Sequence, residues 1–290
     1  MAFDIYATIT DKAIEQLENG VAPWRRPWVG VNGKGAVSHA TGKSYSLMNQ
    51  CLIGIEGEYA TFNQIKAEKG MIRKGAKARM VIYYKMIERE NEDTGEKDLF
   101  PMIKYYNVFN VLDTEGVQPK YEPEITARNQ VDACADADAA IAAYVQRAGC
   151  SLTEWAGNKA YYKPESDRVT LPRMQQFESM AEYYSAVFHE LVHTTGTKDR
   201  LDRGVGETVD GDEYSREELV AEIGAAALVN KFGIDTEASQ ANSASYLAGW
   251  TTRLNEDKRM IVYAAARAAK AVAYITGETE ETEKDTPAES

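Results

Sequence analysis

At 290 residues the chain is long for one hydrophobic core and comfortable for two domains. Its 44% apolar and 27% charged content is that of a soluble globular protein, and no stretch approaches the roughly 20 apolar residues a membrane-spanning helix needs, so no membrane partner is expected. A net charge of −12 argues against a nucleic-acid partner when the chain is taken whole.

Thr10 to Gly20 reads as a short amphipathic helix, because Ile14 and Leu17 share a face and Gly20 suits the position just past a helix end. In Ala22-Pro23-Trp24-Arg25-Arg26-Pro27-Trp28 the two prolines forbid regular structure. Thr61 to Gly70 reads as a second short helix with Thr61 as its cap. Ala78 to Ile87 and Phe100 to Val111 are rich in Val, Ile, Tyr and Phe and read as strands, joined by a long polar hairpin loop over Glu88 to Asp98. Asp113 to Glu124, with Gly116, Pro119 and Pro123, reads as a linker. Beyond it, Gln130 to Ala148 is Ala-rich and helical, and Lys159 to Tyr162 with Arg168 to Leu171 reads as a hairpin. Helices are expected over residues 177–195, 214–232 and 242–275, the last broken near Asn255. The acidic stretch Gly277 to Ser290 is too polar to fold.

The sharpest chemical signal is His189-Glu190-Leu191-Val192-His193. On a helix, His189 and His193 stack one turn apart, so two neutral imidazoles can bind one Zn²⁺ at about 2.0–2.1 Å. Glu190 lies about 100° round the helix, placed to act on water as a general base rather than to bind metal. The flanking Val187, Phe188, Leu191 and Val192 make this helix largely buried, and buried histidines need partners. A catalytic zinc site takes a third protein ligand, often a carboxylate from a second helix. From Leu219 to Val229 every residue is apolar or Gly except Glu222, with Glu218 one turn earlier on the same face. Glu218 is read as the ligand and Glu222 as the acceptor of a ligand histidine's proton, with the exchange of those two roles left open. Glu217 is read as solvated.

Charge is uneven along the chain: Met1 to Glu90 holds 13 basic and 9 acidic residues, a net of +4, and the remainder carries −16. Trp24, Arg25, Arg26 and Trp28 interleave rings and guanidinium groups, the pattern by which single-stranded nucleic acid is bound. Lys66, Lys69, Arg73, Lys74, Lys77 and Arg79 form a second basic cluster. Against these stand plainer readings: tryptophans beside prolines often cover a core, and lysine runs are usually solvated. Thr41-Gly42-Lys43-Ser44 lacks the upstream glycine and strand of a phosphate loop.

An ordered set of motifs resembles the ArdC family of plasmid antirestriction proteins over nearly the whole chain. It begins with Leu17-Glu18-Asn19-Gly20, Pro23-Trp24, Pro27-Trp28, Thr41-Gly42-Lys43, Tyr45, Arg73-Lys74-Gly75 and Val108-Phe109-Asn110-Val111. It continues with Asp167 to Pro172, Phe177, Tyr183-Tyr184, Phe188 to His193, Arg200 to Arg203, Glu217 to Glu222, Trp250 and Asp257-Lys258-Arg259. Thr194 and Phe62 stand where the family often has Trp.

The resemblance implies an α+β protein: a small α+β domain binding single-stranded DNA, then a zincin-like metallopeptidase domain carrying the HExxH helix, of gluzincin type, with a role in shielding incoming mobile DNA from restriction. The expected bounds are residues 1–118, a linker over 119–129, 130–276 for the zinc domain and a disordered tail over 277–290. The expected site is Glu190 as catalytic base, with His189, His193 and Glu218 on Zn²⁺ and Glu222 behind them. Lys43 and Tyr45 join Trp24, Arg25, Arg26, Trp28, Lys66, Arg73, Lys74, Lys77 and Arg79 as the DNA-binding set. Expected partners are single-stranded DNA and a protein substrate or restriction component. Two other readings stay open: a DNA-coating protein with a structural or vestigial zinc, and a protease that uses its basic domain only for recruitment. Three sparse cysteines and a beginning, Met-Ala-Phe-Asp-Ile-Tyr, without basic or apolar leader fit the cytoplasm.

Overall fold

The computed structural model describes residues 4–20, 22–25, 35–54, 57–90, 97–121, 130–206, 211–234 and 244–278. The first helix, α1 (Ile5–Glu18), starts earlier than expected because Asp4 caps it: its carboxylate accepts the Ala7 N–H at 3.1 Å. Ile9, Ala13 and Leu17, each four residues on, form its buried stripe. A 3-10 turn at Pro23–Arg25 follows.

Three elements had no legible signature: β1 (Ala36–Ser38), α2 (Leu47–Ile53) and β2 (Gly57–Thr61). The reason is visible in α2, whose buried Asn49 and Gln50 are polar. Gln50 bonds the N–H and C=O of Ala36 at 2.8 and 2.9 Å, and Asn49 does the same for Ile82 at 2.7 and 2.8 Å. A helix whose buried face makes hydrogen bonds shows no apolar period. Thr61 caps α3 (Phe62–Ala67) in a reciprocal box with Gln64, as its sequence suggests.

The short β3 (Met71–Ile72) precedes the long pair β4 (Arg79–Glu90) and β5 (Lys97–Asn110). The sheet order is β1-β2-β5-β4, with β1 and β2 parallel and the other neighbours antiparallel. The loop expected over Glu88 to Asp98 is shorter, since both strands run into it. The linker expected from Asp113 is also corrected. Thr114–Glu115 is a strand, β6, paired with β3; Val117 is buried; and the backbone N–H groups of Lys120 and Tyr121 donate to Glu58 at 3.0–3.1 Å. The backbone there is satisfied by the domain, not by solvent.

The second half begins with α4 (Gln130–Ala148), then β7 (Ser151–Trp155), β8 (Tyr161–Lys163) and β9 (Arg168–Pro172). The expected hairpin is β8–β9, and β7 adds parallel to β9, leaving β8 at an edge of the β7-β9-β8 sheet. Four helices complete it: α5 (Met180–Thr194), α6 (Gly211–Lys231), α7 (Ala244–Glu256) and α8 (Met260–Thr276), the break near Asn255 being real. Arg200 joins the end of α5 to the β8–β9 turn and to α4, donating to Asp167, to the Thr194 carbonyl at 2.6 Å and to the Ala148 carbonyl at 3.0 Å.

The two halves share a core. Ile9, Leu17, Trp24, Met48, Met80 and Ile82 belong to the same buried cluster as Phe188, Leu219, Trp250 and Ile261, with α1 packed on α7 and α2 on α8.

Gly224 lets α5 and α6 approach. A Cβ there would lie 2.8 Å from the Val192 Cγ2, a stiff side chain that cannot turn away. Gly224→Ala should cost about 1–3 kcal/mol of stability, read from denaturant midpoints, because it overpacks this seam. An unchanged midpoint would show that the seam yields.

Candidate metal centre

Helix α5 starts at Ser179, whose hydroxyl accepts the Glu182 N–H at 3.2 Å. Tyr184, Val187, Phe188, Leu191 and Val192 bury one side of it. His189 and His193 lie on the other side and face α6 across a cleft of about 810 Å³. Their Nε2 atoms are 3.2 Å apart. The Glu218 carboxylate reaches both, Oε2 at 3.5 Å from the His189 Nε2 and Oε1 at 3.5 Å from the His193 Nε2.

These three ligand atoms lie within 4.8 Å of one another, the single such cluster found among the described residues. The separations fit a small cation, since two nitrogens bound tetrahedrally at about 2.0–2.1 Å stand about 3.3 Å apart. The lone pairs fit as well. The His193 Nδ1 faces the Glu217 carboxylate at 3.3 Å; a proton on that nitrogen leaves Nε2 a lone pair for a metal. A metal held by these three groups would keep a further position for water or substrate, the pattern of a catalytic rather than a closed structural site.

Glu217 corrects the reading of this helix. It is not solvated but clamped by Arg203, which donates from Nε to Oε2 at 2.9 Å and from Nη2 to Oε1 at 2.7 Å. Burial opposes its charge, but Arg203 and His193 outweigh that and hold its carboxyl below the usual range. Arg203 is fixed in turn by the Val192 carbonyl and the Thr195 hydroxyl, each at 2.8 Å. The acceptor behind His193 is therefore Glu217. Glu222 lies one turn beyond Glu218 and accepts the Tyr246 hydroxyl at 3.1 Å. Its charge acts on His189. Burial disfavours the His189 imidazolium, yet Glu218, Glu222 and Glu190 together raise its pKa above the usual value.

Glu190 is buried beside the ligand pair. Burial pushes its carboxyl above the usual range against the pull of His189 and His193, and the Tyr162 backbone N–H of β8 bonds it. A carboxylate that lines the same cleft but lies outside the cluster of three ligand atoms suits a proton acceptor. Tyr214, at the start of α6, bonds Glu218 from the rim of the same cleft. Nothing in the local pattern pointed to Tyr214. Arg203 lay within the Arg200–Arg203 run without a role to attach to it.

The expected DNA-binding residues differ in exposure. Lys66 is exposed on α3, and Arg73, Lys74 and Lys77 are exposed between β3 and β4, with Arg79 half-buried at the start of β4. Arg73 also donates to the Leu112 carbonyl at 3.2 Å. Lys43 is exposed in the turn after β1, and Tyr45 is half-buried. Arg25 ends the 3-10 turn, while Arg26 and Trp28 lie outside the described residues. Trp24 overturns its expectation as a base-stacking surface. It is 0% exposed, packs edge-on against Trp250 with ring centroids 5.8 Å apart, and donates Nε1–H to the Tyr246 hydroxyl at 3.2 Å. A ring with no free face stacks on no base. The third histidine, His39, is away from the metal centre, held between Glu58 and Glu68.

No described helix is long and apolar enough to cross a membrane. Residues 3–109 match the N-terminal domain of anti-restriction factor ArdC, and residues 139–267 match a zincin-like metallopeptidase family. Among solved structures, the metal-free antirestriction protein ArdC from plasmid R388 is similar at 31% identity and a TM-score of 0.70, over 96% of this chain and 100% of that one. Its Mn(II)-bound form is similar at 30% identity and 0.71, over 97% and 100%. A DNA primase TraC of Escherichia coli is 30% identical over 93% of this chain but 20% of its own length, so the chain spans about a fifth of that relative. An uncharacterised protein of Sinorhizobium fredii is 25% identical over 97% of this chain and 94% of its own.

Proposed function

Because the chain belongs to the ArdC family of antirestriction proteins, with the ArdC N-terminal domain followed by a zincin-like domain, we propose that it protects incoming plasmid DNA by holding single strands on its N-terminal half and cleaving peptide bonds at a zinc centre. The observation that carries the peptidase reading is the cleft that joins His189, His193 and Glu218 to the buried Glu190. His189, His193 and Glu218 hold the ion, and Glu217 with Arg203 fixes the His193 tautomer.

Zinc held by these residues would supply Lewis acidity for a carbonyl and for water. Glu190 takes the water's proton and returns it to the leaving amine. The edge strand β8 borders the cleft through Tyr161 and Tyr162, which suits an extended peptide paired along it. The cytoplasm suits this action, and the three cysteines are free thiols.

The N-terminal reading rests on the family and on the exposed Lys66, Arg73, Lys74 and Lys77. The full chain should bind single strands better than duplex. Each phosphate contact should contribute about −0.7 to the slope of log affinity against log salt. Lys74→Ala and Lys77→Ala should flatten that slope, measured by fluorescence anisotropy with oligonucleotides of one sequence. Equal or tighter duplex binding would reject the single-strand assignment. Detectable DNA binding with no hydrolysis in the metal-loaded protein would favour the DNA-coating reading.

A further inference from the structure

The shared core joins an N-terminal aromatic, through Tyr246, to α6, the helix that carries Glu218. Trp24, in the segment after α1, is fully buried against α7. Its indole N–H donates to the Tyr246 hydroxyl at 3.2 Å, and that hydroxyl donates to the Glu222 Oε2 at 3.1 Å. Tyr246 also packs edge-on against Trp250, with centroids 6.5 Å apart, and Trp250 in turn packs against Trp24. The phenol therefore has its ring and both its hydrogen-bond directions set by neighbours. Glu222 is one helical turn from Glu218, on the same face of α6, and Glu218 meets both histidines.

We propose that Trp24 and Tyr246 are positioning residues of the metal centre: they hold the Glu222 carboxylate in place behind His189, so the zincin-like half is completed by a side chain from the N-terminal half. The argument rests on the zinc reading above. It follows from direction as much as from distance. A phenol that accepts from an indole N–H has its own proton free to donate, and here that proton goes to Glu222. A carboxylate without that donor would turn toward another partner and change the field at His189. Partners of this kind tune ligand orientation and metal affinity. The N-terminal half then acts on the centre through a hydrogen-bonded line that leaves the cleft open.

The test uses the full chain with Zn²⁺ as the probe, by competition against a chromophoric chelator, and Co²⁺ as a spectroscopic reporter. Tyr246→Phe removes one hydroxyl and keeps the ring. Trp24→Phe removes the N–H and keeps an aromatic in the core. Each should weaken Zn²⁺ affinity about tenfold or more, within the about 10–100-fold typical of such partners, and should shift the Co²⁺ visible bands. The double variant should be no weaker than Tyr246→Phe alone, because the indole acts through the phenol. Thermal melting without metal reports packing separately. Wild-type affinity and an unchanged Co²⁺ spectrum in Tyr246→Phe would overturn the proposal. So would losses in the two variants that simply add, since those would mark Trp24 as packing alone. If the wild-type chain takes up no metal, the zinc reading falls and this inference with it.

Discussion

Glu190→Gln should leave metal content and thermal stability near wild type while peptide hydrolysis drops by at least about 10²-fold, the low end of what a positioned general base contributes. The amide keeps the side chain's shape and cannot take a proton from water. It also removes a carboxyl that burial strains rather than stabilises, so the fold should not suffer. The check is steady-state hydrolysis of a peptide library by zinc-loaded protein, paired with metal analysis. Unchanged turnover would move the base to another residue. Lost metal would mean that Glu190 is a ligand after all.

The larger effect is expected from the ligands themselves. Wild-type protein should hold about one metal ion per chain, and the His189→Ala/His193→Ala double variant should hold none after dialysis. Glu218→Ala should weaken binding more than Glu222→Ala, because Glu218 reaches both Nε2 atoms whereas Glu222 lies outside the ligand cluster. Glu217→Gln should also weaken binding, by about 10–100-fold, since the amide no longer matches both Arg203 and the His193 Nδ1–H. Metal dissociation constants decide the order. A weaker site in Glu222→Ala than in Glu218→Ala would exchange the two roles. The same titration with Zn²⁺ and Mn²⁺ identifies the preferred ion, since the related plasmid protein was crystallised with Mn(II).

Separate fragments are poor material for these experiments. Residues from α1, α2 and β4 share one apolar cluster with α5 to α8, so cutting between the halves exposes core surface on both. DNA binding and metal binding are therefore best measured on the full chain.

The centre was legible in the sequence because its ligands are close in the chain. A helix of known period places His189, Glu190 and His193 without any tertiary information, and the lone Glu222 in an apolar run, with Glu218 one turn before it, announces a buried charge that needs a partner. The long strands β4 and β5 and the cap at Thr61 were legible for the same reason: their signals are local. Three things were not. The buried polar helix α2 has no apolar period, since Asn49 and Gln50 face inward to bond backbone. Glu217 looked solvated because its partner, Arg203, is 14 residues away in the chain. Trp24 looked like a free ring between prolines, yet Trp250 and Tyr246, more than 200 residues on, cover it. Local patterns record what a residue's own helix or turn requires. Which distant side chain closes over a tryptophan or neutralises a carboxylate depends on how the helices cross, and close packing of the whole core sets that.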